Sequence, residues 1–139
     1  MKIELYQAET TRICLSHLKI LEEARNRLIA DDTFTELEQK GLIHTIQVLI
    51  ENAIGKGKHI LKFLDQEVPV SGYNVFELLY NLGKIEISHL KRWEKIIGLR
   101  NTIVHEYMKV NMDYILKIIE DRQYNLITEF LKKPFKKFS

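Results

Sequence analysis

IQVLIENAIGKGKHIL, residues 46–61, decides how the rest of the chain is read. With its flanks it places Leu42, Ile46, Leu49, Ile50, Ala53, Gly57, Ile60, Leu61 and Leu64 at steps of three and four. That spacing returns side chains to one face of a helix, and the run predicts a helix over residues 34–64. Gly55 and Gly57 interrupt good helix formers at a cost of about 1 kcal/mol each relative to Ala. Glycine inside so regular a pattern predicts a close helix crossing or a kink.

Outward from that segment the same period continues. Leu5, Ala8, Leu15, Leu18, Leu21 and Leu28 predict a first helix over residues 3–30 with one buried stripe. Asp31, Asp32 and Thr33 supply a turn and a cap for the next helix. Residues 68–72, VPVSG, break the chain. A short helix over residues 73–82 follows, with Ser71 or Asn74 as cap and Gly83 as its stop. Ser88 is a candidate cap for a fourth helix carrying Leu90, Trp93, Ile96 and Ile97. A last helix runs over residues 112–131, with Met112, Ile115, Ile119, Leu126 and Phe130 on its apolar stripe and Pro134 as its limit. No segment alternates with period two. The expected fold is all-α, an antiparallel up-and-down bundle of four long helices and one short one.

The chain has 139 residues, 45% apolar and 29% charged, an ordinary balance for one globular domain. The expected boundaries are one helical domain over residues 1–131 and a basic tail over 132–139. The single cysteine, Cys14, excludes an intrachain disulfide and reads as a small hydrophobe. No signal-like or membrane-spanning run is visible, so the expected location is cytoplasmic, with no membrane association.

Net charge is only +2 but unevenly spread. Residues 84–109 hold six Lys/Arg and three Glu, and residues 131–139 hold four Lys and no acid. A polyanion-binding protein shows such segregation, and so does a solvated helix face with a frayed basic end. Lys91, Arg92 and Lys95 are candidates to bind RNA beside a cleft. Trp93 either stacks a base or joins the core. The tail either grips an RNA backbone or is a solvated end. His17, His44, His59 and His89 stand singly, without metal-ligand spacing.

RNTIVHEY, residues 100–107, carries the chemistry. Histidine moves protons near neutral pH, so His105 can deprotonate a ribose 2′-hydroxyl or protonate a leaving oxygen. Arg100 is a fixed cationic fork suited to a phosphate in its transition state. Asn101 lies one turn before His105 and can orient the imidazole or a phosphate oxygen. Neither metal nor cofactor is required. At about 100° per residue, Arg100 and His105 stand roughly 140° apart on a regular helix. Two copies meeting at a two-fold axis would bring two such pairs into one cleft. The plainer reading is two polar surface residues and a tyrosine whose hydroxyl sits at the core's rim.

The stretch resembles the R-N-x-x-x-H-x-Y motif of HEPN-superfamily ribonuclease toxins of the HepT type. Ile97-Gly98-Leu99 before the arginine, the long second helix, and Ser71-Gly72-Tyr73 followed by Phe76-Glu77-Leu78-Leu79 are similar to that family in the same order. The sequence departs at Gly55, where many relatives carry an acid. The resemblance implies a HEPN-like fold, a homodimer and metal-independent cleavage of RNA, including tRNA, with Arg100, Asn101 and His105 catalytic. It implies a cognate MntA-like nucleotidyltransferase antitoxin that silences the toxin by attaching AMP to Tyr107. The second reading is a non-catalytic helical module that docks with, or presents substrate to, a nucleotidyltransferase.

Overall fold

A computed structural model describes residues 2–139, and every described element is helical. Two long helices, α1 (Lys2–Ile29) and α2 (Glu36–Phe63), are followed by the short α3 (Gly72–Asn81). Next comes α4 (Ile87–His105), then a 3-10 turn (Tyr107–Lys109), α5 (Met112–Glu120) and α6 (Asn125–Lys132). A second 3-10 turn, Phe135–Phe138, closes the chain. Among the described residues no helix is long and apolar enough to cross a membrane.

The centre is α2, which packs against all five other helices. It is buried on more than one stripe, with Leu42, Ile43, Ile46, Leu49, Ile50, Ala53, Ile60 and Leu61 all in the core. Its start is fixed by a capping box: Thr35 accepts from the Glu38 backbone N–H, and Glu38 accepts from that of Thr35. The cap is therefore Thr35 and not the Asp31–Thr33 segment, which forms the turn. Asp31 takes a left-handed φ of 57° there. The Arg27 guanidinium spans the turn, donating to Asp32, the Thr33 carbonyl and Glu38.

Gly57 marks the close crossing of α2 and α3. A Cβ there would stand 2.7 Å from Val75 Cγ1, and Val75 is itself fully buried. At Gly55 an added Cβ meets only the Tyr6 hydroxyl, at 3.9 Å. Ser71 caps α3 by accepting from the Asn74 N–H, and Gly83 ends that segment at φ 75°. The cap position of α4 is Glu86 instead of Ser88 and makes no side-chain cap bond. Trp93 belongs to the core: its ring lies on Phe76 at 4.1 Å, with Phe130 edge-on at 5.2 Å.

Three expectations are corrected. On α1, Leu18, Leu21 and Leu28 face the core as expected, but Leu5, Ala8 and Leu15 are exposed. Cys14 and Ala24 are buried beside Leu21, Cys14 standing seven residues before it on the same face. The last helix is two. Arg122 adopts φ 51°, and the chain turns through Arg122 N–H to Ile119 O and Gln123 N–H to Ile118 O. Glu22 of α1 holds that corner, accepting from the Arg122 guanidinium at 2.6 Å and from the Tyr124 hydroxyl. The tail, finally, is neither frayed nor free, because Phe135 and Phe138 are buried.

Lys56 explains the tail. Its side chain is fully buried inside α2, and Nζ donates to the carbonyls of Phe130 (2.8 Å), Leu131 (3.0 Å) and Lys133 (2.5 Å). These are the orphan carbonyls at the C-terminal end of α6, where the helix dipole favours a cation. The rings of Phe130, Phe135 and Phe138 surround it at 5.5–5.8 Å. Burial pushes the Lys56 pKa down; the three acceptors favour the charged form against that pressure.

Lys56→Met leaves those carbonyls without a donor, and it should cost about 3 kcal/mol in urea unfolding. The two glycines should respond with opposite signs. Gly57→Ala is expected to lose about 1–2 kcal/mol by overpacking, whereas Gly55→Ala gains up to about 1 kcal/mol from helix propensity. Thermal unfolding of the two single variants reads both signs.

Candidate active site

Arg100, Asn101 and His105 occupy the last two turns of α4, and His105 is its final helical residue. One side chain of this stretch, Ile103, is buried and pins the helix end to the core. Glu106 breaks the helix at φ −140° and ψ 48°, and Tyr107 opens the 3-10 turn that follows. Asn111 then caps α5 by accepting from the Tyr114 N–H. The motif therefore straddles a helix terminus, where side chains point outward and backbone groups stay paired locally.

The structure brings Arg100 together with a residue that the sequence reading missed. Arg100 Nε and Nη2 lie 3.1 and 3.0 Å from Glu51 Oε2, on α2. The Gln47 amide approaches the same oxygen at 3.5 Å. Both partners are about two-thirds buried, with side-chain exposures of 29% and 33%. This carboxylate fixes two of the guanidinium nitrogens and leaves Nη1, which donates to Asn101 Oδ1 at 3.3 Å. Asn101 therefore orients the arginine, not the imidazole, and its amide N–H groups remain available to a ligand oxygen. The signal for Glu51 was its place one turn before Gly55, on the α2 face that meets α4.

His105 is exposed and makes no hydrogen bond among the described residues. No contact joins it to Arg100 or Asn101 within the chain, as their angular separation on the helix requires. Tyr107 is 42% exposed, with its hydroxyl unbonded. Beside it Met108 is 95% exposed and Val104 40%, so an apolar patch flanks the motif. Lys91, Arg92 and Lys95 are exposed on α4, and the latter two edge a cleft shared with α2 and α5.

The other histidines stand apart. His17 is half-buried, its pKa lowered by burial and by His44. His59 stacks on Tyr6 at 3.9 Å and its Nδ1 meets the Gly55 carbonyl at 2.9 Å. Among the described residues no group of three or more His, Cys, Asp or Glu could hold a metal ion. Cys14 is buried, its thiol pKa raised by burial.

Chemically the arrangement offers an anchored guanidinium, an amide and a solvated imidazole along one helix end. Such a set can bind an anionic oxygen and offers a side chain able to accept or donate a proton.

Comparison with known proteins bears on the family and the fold. The Ribonuclease HepT-like family matches residues 14–134. A protein of Archaeoglobus fulgidus, provisionally named an RNase, is 27% identical over 119 residues, covering 86% of this chain and 88% of its own. The mRNA nuclease HepT of Shewanella oneidensis is 28% identical over 82 residues, covering 59% of this chain and 62% of its own. In three dimensions the chain is similar to one from a crystal structure of a toxin–antitoxin with AMP-PNP. The TM-score is 0.75 at 18% identity, over 91% of this chain and 98% of that one, a likeness of fold. With the family matched from Cys14 to Pro134 and its helical fold in place, the chain belongs to the HepT-like ribonuclease family.

Proposed function

We propose that this chain is a metal-independent RNA endonuclease that acts as the toxin of a toxin–antitoxin pair. The observation that carries the reading is a solvated His105 beside an arginine whose guanidinium is held in place by Glu51. The relatives named as RNases support the activity, and the toxin–antitoxin neighbour supports the setting.

In the proposed reaction an RNA strand lies along the end of α4. Arg100 and the Asn101 amide face the scissile phosphate. His105 takes the proton of the ribose 2′-hydroxyl, whose oxygen attacks the adjacent phosphorus. The bond from phosphorus to the 5′-oxygen breaks, and that oxygen receives a proton from an imidazolium. The products are a 2′,3′-cyclic phosphate and a free 5′-hydroxyl. One imidazole cannot serve both sides of the phosphate at once. A homodimer joined across Val104 and Met108 would supply a second, and exposed apolar side chains of that kind are what such an interface needs.

Regulation follows from the same surface. The Tyr107 hydroxyl is open to an MntA-like nucleotidyltransferase using ATP. Its oxygen attacks the α-phosphorus, pyrophosphate leaves, and the phenolic proton is lost to solvent. The AMP so attached adds a negative charge and a bulky base beside the cleft, and both oppose entry of RNA.

Purified protein offered total RNA and tRNA should cut it, and His105→Ala or Arg100→Ala should slow cutting by about 10²–10⁴-fold. Glu51→Gln should lower kcat by roughly tenfold or more with little change in melting temperature, since it only unlocks the guanidinium. Intact RNA with the wild type, together with retained binding to a nucleotidyltransferase, would favour the non-catalytic module. Met108→Glu is expected to shift the protein from dimer to monomer in light scattering and to lose cleavage with it. A monomeric wild type that cuts normally would remove the shared-site argument.

A further inference from the structure

The cleft beside the motif has a construction that the cleavage scheme above leaves unused. It lies between α2, α4 and α5 and encloses about 180 Å³. Its floor is aliphatic, with Ile46, Ile96 and Ile118 among its lining. Its edge carries Arg92, Lys95, Gln123 and the ring of Tyr114, 42% exposed. No carboxylate lines it, and no salt bridge ties down Arg92 or Lys95 among the described residues. A flat apolar slot with an aromatic wall, an amide and two unpaired cations fits a heteroaromatic ring with a phosphate attached.

The position of the cleft is equally specific. Leu99 and Ile50 line it, and these are the residues that immediately precede Arg100 and Glu51. The cleft and the guanidinium–carboxylate pair are thus adjacent along both helices. From Leu99 to His105 the helix advances about 9 Å, a span that a neighbouring nucleotide can bridge.

We propose that this cleft is a nucleobase pocket that takes an unpaired base next to the scissile nucleotide, with Arg92 and Lys95 on its phosphate. The inference rests on the ribonuclease reading for the identity of the ligand. It adds a requirement: the base must be unstacked from its neighbours to enter, so duplex RNA is excluded from this subsite. Stacking on Tyr114 tolerates any base, and the Gln123 amide can grade them through the hydrogen bonds it offers.

Binding and cleavage separate this inference from the reading beneath it. A fluorescein-labelled single-stranded RNA heptamer is titrated against the His105→Ala protein by anisotropy, in Tyr114, Tyr114→Ala and Tyr114→Phe backgrounds. Tyr114→Ala should weaken binding about tenfold, and Tyr114→Phe should retain it because the ring remains. An abasic nucleotide walked along the heptamer should weaken binding at one position, and that loss should vanish in Tyr114→Ala. The same strand in a duplex should bind more weakly, and Arg92→Ala with Lys95→Ala should flatten the salt dependence. Unaltered affinity in Tyr114→Ala and a featureless abasic scan would overturn the pocket, while wild-type cleavage would still stand. Binding of 5′-AMP at the cleft with no effect of the abasic scan would overturn it in favour of a free nucleotide. Were Tyr114→Ala to dissociate the dimer with RNA affinity per subunit unchanged, the cleft would be a protein contact and the proposal would fall. A wild type that binds the heptamer without cutting it defeats the nuclease and leaves the pocket to be read by the same titration; no RNA binding at all defeats both.

Discussion

Every helix of this protein depends on α2 being surrounded. A helix that packs against five others keeps only part of its surface in water, so a polar residue on its inward faces must find a partner inside the fold. Two such residues organise the molecule. Lys56 reaches through the core to the open carbonyls that end α6 and draws the terminal aromatic residues over itself. Glu51, one turn and a little more toward the N-terminus, emerges between α2 and α4 and takes the Arg100 guanidinium. The first closes the bundle at one end, and the second holds the Arg100 side chain at the seam between α2 and α4.

Those two contacts also mark where the sequence could be read and where it could not. Periodicity was sufficient for the α2 core and for the helical class as a whole, and it narrowed the crossing to Gly55 or Gly57 and the α3 cap to Ser71 or Asn74. These depend on spacing within one segment. The split between α5 and α6 was hidden, because no glycine or proline stands at Arg122. The corner is set by Glu22, a hundred residues away in sequence. The tail was hidden for the same reason: KKPFKK reads as solvated until a buried cation facing α6 is known. On α1, Leu5 and Leu15 misled because Cys14, small and easily overlooked, shares the inward face with Leu21.

The site divides along the same line. Arg100, Asn101, His105 and Tyr107 stood together in the sequence as a motif, and their placement at a helix end followed from the elements around them. What spacing could not supply was the partner of the arginine. Glu51 lies on α2, about fifty residues away in sequence, and its side chain reaches across to α4.

That anchoring has a consequence for how such a site works. A free arginine at a helix terminus samples many rotamers, and ordering it on a ligand costs part of the binding free energy. With Nε and Nη2 already held by a carboxylate about two-thirds buried, that cost is met on folding, and the remaining edge of the fork is presented in one orientation. The carboxylate also offsets the positive charge, so in the proposed reaction the phosphate would meet a polarised donor array instead of a bare cation. Solvated and unpartnered, His105 carries no comparable restraint. A fixed arginine and an exposed, unpartnered histidine are the asymmetry that the proposed two-copy site calls for. In that proposal one group is built in on folding, and the other would be ordered only when RNA and a second subunit close over it.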